Sequence, residues 1–134
     1  MSYDIDLIRR YRKVCEDGEV EVSYDTICSW TPTYNYREML IAAGIYDALV
    51  APHRLHPDYA EGKSANDLTV RAKIVIKPLE LGLENLLANP DHFKQFNPSN
   101  GWGSYDDLID MLSSYLNDLK THPNAEILTA GYSD

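Results

Sequence analysis

The stretch Asn97-Pro98-Ser99-Asn100-Gly101-Trp102-Gly103-Ser104-Tyr105-Asp106-Asp107-Leu108-Ile109 carries the chain from a shaped loop into its best-patterned helix. Asn100-Gly101 is a tight-turn signal, because glycine supplies the positive φ that such turns require. Ser104 is a helix cap, and the acids after it sit where the helix dipole favours negative charge. Tyr105, Leu108, Ile109, Leu112, Tyr115, Leu116 and Leu119 then follow the helical period, with Asp106, Asp107, Asp110, Ser113, Ser114, Asn117 and Asp118 on the other side. Lys120 falls in the last turn and Pro123 stops the element. A helix with one apolar face needs a second layer to cover it.

Both ends of the chain offer that layer. Tyr3, Ile5 and Leu7 alternate with Asp4 and Asp6, and Val20, Val22 and Tyr24 alternate with Glu19, Glu21 and Ser23. Asp17-Gly18 lies between them as a turn, so an antiparallel unit is expected. A short strand over about Glu126 to Ala130 is expected to rejoin it. Between these strands, Asn35 with Glu38 reads as a capping box, with Tyr34 and Met39 as its hydrophobic staple. The helix so opened runs to Gly44 or to Val50, with Pro52 ending it. His53 to Lys63 reads as solvent-exposed loop. Residues 64–77 fit strand through Val70, Ala72, Ile74 and Ile76, or helix through Leu68, Ala72, Val75 and Leu79. Helix is preferred, with Pro78 starting a fresh helix that presents Leu79, Leu83, Leu86 and Leu87. Gly82 falls on that side, where it would admit a close neighbour. Asn89-Pro90 opens a further short helix bearing Phe93 and Phe96. The expected fold is α+β: one domain over residues 1–134, a small antiparallel sheet from both termini packed against three or four helices.

The formal net charge of −9 is unevenly placed. Arg9, Arg10, Arg12 and Lys13 against Asp4 and Asp6 give the first 15 residues a balance of +2, which leaves −11 for the rest. Such a surface repels nucleic acid and anionic membrane and suits a partner with a basic surface. No apolar run approaches a membrane span, and the first residues are acidic where a signal peptide would be basic, so a cytoplasmic protein is expected. Cys15 and Cys28 flank the hairpin without metal spacing, and a reducing cytosol disfavours their pairing.

Catalytic signatures are sparse. His53 and His56 form an H-x-x-H pair without the further ligands that zinc usually needs. Asp106, Asp107 and Asp110 have the spacing of a solvated helix face rather than of a calcium loop. There is no phosphate-binding glycine loop, nucleophile elbow or dinucleotide fingerprint, and so no catalytic residue, metal ligand or cofactor is assigned.

The aromatic set is the remaining candidate. Trp30, Tyr34, Tyr36, Trp102 and Tyr105, with Asn35 and Asn100, gather near two helix N-termini. Three roles fit: a hydrophobic joint between sheet and helices, an anchor for a protein partner, and a stacking pocket for a nucleotide or other small ligand. The joint is preferred, with Trp102 plugging the core beside Gly82 and the Tyr34-Asn35-Tyr36 segment.

Ser2-Tyr3-Asp4-Ile5-Asp6-Leu7, the Thr33-Tyr34-Asn35 triplet, the Asn97–Tyr105 loop and the closing His122-Pro123 together resemble a group of small acidic proteins of bacteriophages, prophages and bacterial genomes. The basic insert Arg9–Lys13 departs from that pattern. The group supplies no catalytic residues. The resemblance implies a mobile-element accessory protein: a non-enzymatic interaction module that modulates a host protein, with sequestration of a small ligand as the alternative.

Overall fold

The computed structural model describes residues 1–63 and 68–132, and within them an α+β fold. Strand β1 (Asp4–Val14) lies at the centre of a three-stranded antiparallel sheet, between β2 (Val20–Trp30) and β3 (Glu126–Ala130). Five helices cover one face: α1 (Arg37–Ala42), α2 (Tyr46–Val50), α3 (Lys73–Ala88), α4 (Pro90–Lys94) and α5 (Tyr105–Thr121). Two of the five, α2 and α4, are single short turns. No described helix is long and apolar enough to cross a membrane.

The core face of the sheet follows the pairing. Ile5 lies opposite Trp30 and Thr129, and Leu7 opposite Cys28 and Ile127, so these side chains share the face that meets α5. A bulge between Leu7 and Ile8 shifts the register, which is why both of these successive residues are fully buried. The bulge also hides the rest of the strand from a simple alternation. Both strands run 11 residues, well beyond the Leu7 and Tyr24 limits that alternation suggests. Because β3 pairs only with Asp4 to Ile8, the remainder of β1 and its partner stretch of β2 form a two-stranded arm with both faces wet. Gly18, at φ 85°, closes the arm's tip, where Cys15 N–H donates to Glu19 O at 2.8 Å. Cys15 therefore sits about eight residues along the arm from the Leu7–Cys28 pair, about 27 Å away, and both thiols are free.

The helical layer corrects several expectations. The first helix breaks at Gly44 (φ 75°) and restarts at Tyr46, and Pro52 opens a 3-10 turn instead of ending a helix. Thr33 Oγ1 accepts from Asn35 N–H and caps the 3-10 turn Tyr34–Tyr36 that leads into α1, while Tyr36 holds the cap position of α1 without a side-chain bond, so Asn35 is not the cap. Helix α3 begins only at Lys73, because Val70 O and Arg71 are engaged as a strand by Ile127 and Glu126. Helix and strand readings of residues 64–77 thus each hold for part of the segment, and residues 64–67 lie outside those described. Pro78 lies inside α3 and does not start a new helix. Leu79 and Leu86 are buried, whereas Leu87 is exposed. His53 is buried against Tyr59 and Tyr132, with ring centroids at 5.6 and 4.8 Å, so the start of that segment is not solvated, whereas Leu55, Pro57, Tyr59, Ala60, Gly62 and Lys63 are exposed.

Helices α3 and α5 pack antiparallel. Tyr105 Oη, at the start of α5, donates to Leu86 O near the end of α3 at 2.7 Å. Lys120, at the far end of α5, pairs with Glu80 at 3.4 Å. Gly82 does allow a close approach: a Cβ there would lie 2.0 Å from Ile45 Cγ2. The residue that fills this space is Ile45, not Trp102.

Candidate functional site

Almost every polar group of the Asn97–Tyr105 loop has a structural task. Asn97 Oδ1 accepts from Tyr105 N–H at 2.7 Å, and Ser104 Oγ accepts from Asp107 N–H at 3.2 Å, which together start α5. Asn100 Oδ1 accepts from Trp102 N–H at 3.0 Å and from Asn35 Nδ2 at 3.3 Å. Asn35 Nδ2 also donates to Trp102 O at 3.1 Å. One amide side chain thus ties the loop to the 3-10 turn Tyr34–Tyr36. Gly101 and Gly103 adopt φ of 78° and 85°, the left-handed region that glycine enters without strain. Gly103 is further constrained, because a Cβ there would come within 2.8 Å of Thr33 Cγ2.

The outcome for Trp102 reverses the expectation of a core plug. Its side chain is 73% exposed, and its indole has no hydrogen-bond or ring partner among the described residues. Two left-handed glycines with Gly103 seated on Thr33 and Tyr36 turn the intervening side chain outward. The backbone of Trp102 is held by two hydrogen bonds, one to Asn100 and one from Asn35, while its ring is left in solvent.

Trp102, Trp30 and Tyr36 line one shallow cleft of about 280 Å³ between β2, the 3-10 turn and α5. Met111 and Asp107 of α5 complete its wall. Trp30 Nε1 donates to Asp118 Oδ2 at 3.2 Å, and the ring of Trp30 meets Tyr115 edge-on at 6.4 Å. The exposed carboxylates Asp106, Asp107 and Asp110 continue the acidic character along α5. Burial, with Asp107 nearby, pushes the Tyr36 phenol up to about 12. Burial, with Asp118 nearby, pushes the Cys28 thiol up to about 11. A thiol held in its protonated form is a poor nucleophile.

The remaining proposed residues lie elsewhere. Tyr34 packs its ring on Tyr3 at 4.6 Å, away from the cleft. Tyr105 is buried and committed to Leu86 O. Among the seven, then, Trp30, Tyr36 and Trp102 form a surface, Asn35 and Asn100 hold it, and Tyr34 and Tyr105 belong to the joint. Among the described residues no three His, Cys, Asp or Glu side chains gather as metal ligands. His56 Nδ1 accepts from Asp58 N–H, which separates its role from that of buried His53.

A second cleft, of about 370 Å³, lies at the root of the hairpin arm and was not legible in the sequence. Arg9, Arg10, Arg71, His122 and Glu126 reach it from three separate stretches of chain. The Arg9–Lys13 cluster was the one visible signal. No family model, curated protein or solved structure matches this chain.

Proposed function

We propose that this protein is a non-enzymatic interaction module that captures a basic segment of a partner protein on the face formed by Trp102, its cleft and the acidic side of α5. The observation that carries this reading is the exposure of Trp102 on a loop whose other residues serve to fix it. With the backbone of Trp102 already fixed by the loop, only the solvated side chain must be ordered on binding, and Trp is enriched among interface anchors. The neighbouring carboxylates Asp106, Asp107 and Asp110 supply the charge that attracts lysine and arginine, and a guanidinium can also stack on the indole. The nucleotide reading is less well supported, because Asp107 lines the cleft and would repel a phosphate. The resemblance to phage and prophage proteins supports a host protein as the target, in the cytoplasm of the host.

The test is capture from a cell lysate by immobilised wild-type protein, by Trp102→Ala and by Asp106→Asn/Asp107→Asn/Asp110→Asn. A basic protein retained by the wild type should be weakened about thirtyfold by the loss of a hot-spot tryptophan. The triple variant should lose retention and the salt dependence that accompanies it. Retention that survives both variants, or no retention of a basic protein at all, contradicts the proposal.

A further inference from the structure

The chain carries a net charge of −9, yet the cleft at the root of the arm is cationic. It opens where β3 begins at Glu126 and β1 continues past it into the arm, paired only with β2. Its single carboxylate, Glu126, is buried and already neutralised: Arg10 Nε donates to both of its oxygens, at 2.8 and 2.9 Å. That leaves Arg9 and Arg71, neither of which forms an ion pair among the described residues. Arg71 Nη1 donates to Asn124 O at 2.6 Å, which fixes the guanidinium at the wall and leaves the rest of its donor fork available. His122 adds an imidazole, and Ile27 and Pro123 supply apolar surface.

The walls are pre-organised by backbone pairing. Ala72 N–H donates to Ala125 O at 2.8 Å, Lys73 N–H to Pro123 O at 2.9 Å, and Ile127 N–H to Val70 O at 2.8 Å. The loop that carries His122 and Asn124 is therefore locked to the strand-like segment that carries Arg71. Pre-organisation of this kind removes ordering cost from binding. Two guanidiniums beside apolar surface, Arg9 with Asp25 opposite it on β2 and Arg71 with no carboxylate paired to it among the described residues, make a good place for a negative group on a hydrophobic body.

We infer that this cleft binds a small organic anion, with a phosphate or carboxylate group received by Arg9, Arg71 and His122 and a compact apolar body laid on Ile27 and Pro123. Its volume of about 370 Å³ suits a molecule of that size. An extended polyanion would meet the surrounding negative surface, whereas a small anion feels chiefly the charges within a Debye length of about 8 Å. The site is separate from the Trp102 face and does not depend on its reading.

The test is titration of isotope-labelled protein, followed by amide and imidazole NMR shifts, with phenyl phosphate, benzoate and neutral phenol. Either or both anions should give saturable shifts at Arg71, His122, Ala125 and Glu126 below about 10 mM, and whichever binds more tightly identifies the preferred head group. Phenol should not. Arg71→Gln and Arg9→Gln should each weaken binding about tenfold, and Trp102→Ala should leave it unchanged. Arg9→Gln is at an exposed position and keeps the test decisive even if Arg71→Gln destabilises the fold. Absence of saturation with both anions, equal binding of phenol, or wild-type affinity in both glutamine variants would overturn the inference.

Discussion

Replacing Gly82 by alanine sets two effects of opposite sign against each other, and the structure decides between them. In an exposed helix interior the change would stabilise by about 1 kcal/mol through helix propensity. Here the new methyl would lie 2.0 Å from Ile45 Cγ2, whereas carbon atoms pack at about 3.5–4.0 Å. The overlap of about 1.5 Å or more must be relieved by moving Ile45 or α3. Ile45 is buried and follows Gly44, which is held at φ 75°, so it has little room to retreat. Overpacking of a dense core costs about 1–3 kcal/mol, and a 2.0 Å contact belongs at the upper end, about 2–3 kcal/mol, so Gly82→Ala should be destabilising by about 1–2 kcal/mol after the propensity gain of about 1 kcal/mol. For a chain of this size that corresponds to a fall in Tm of about 3–8 °C. Ile45→Ala alone should cost about 2–5 kcal/mol as a cavity. In the double variant the alanine methyl occupies part of that cavity, so Gly82→Ala/Ile45→Ala should be more stable than Ile45→Ala by about 1 kcal/mol. Denaturant unfolding of the four proteins, with unchanged m-values, measures this cycle. A stabilised Gly82→Ala with no coupling to Ile45 would refute the packing argument.

Trp102→Ala should leave thermal stability within about 0.5 kcal/mol, since the ring touches little, whereas Asn100→Ala should cost about 1–2 kcal/mol through its two hydrogen bonds; equal losses on thermal melting would show that the ring is packed. Cys28 is raised to about 11 by burial, so its protonated form stabilises the fold fully below the unfolded thiol's range near 9, and that contribution is lost as pH rises from there towards 11. Alkylation of Cys28 at pH 8, followed by mass spectrometry in a Cys15→Ser background, should be much slower than that of free cysteine, and equal rates would contradict the burial. Tyr115 Oη is buried without a hydrogen-bond partner among the described residues, so Tyr115→Phe should keep or raise stability by about 1 kcal/mol, and a loss of that size would reveal a missing partner.

The parts of the fold that were readable are those set by local pattern. Ser104 and the Tyr105–Leu119 periodicity define α5, and Asp17-Gly18 with flanking alternation defines the hairpin. Gly82 announced a close contact because a glycine in a helix needs a reason. What failed was set by contacts remote in sequence. The bulge at Leu7 and Ile8 breaks the alternation, and the arm beyond it has no buried face to leave a pattern. Val70 and Arg71 are strand-like because β3 is there to pair with them, which no window around residue 70 contains. Pro78 was read as a boundary, but α3 continues through it. Two glycines around Trp102 specify left-handed turns, yet the direction of the ring depends on Gly103 docking against Thr33 and Tyr36, some 70 residues earlier. The cationic cleft is invisible for the same reason: Arg9, Arg71 and His122 meet only in the fold.

The central claim is that the Asn97–Tyr105 loop displays Trp102 instead of burying it. The most direct measurement is acrylamide and iodide quenching of Trp102 fluorescence in a Trp30→Phe variant, where Trp102 is the sole tryptophan. A side chain 73% exposed should emit at the long wavelength of solvated indole and be quenched almost as readily as a free indole in water. Blue-shifted emission protected from both quenchers would contradict the account, and with it the assignment of Trp102 as the anchor for a basic partner.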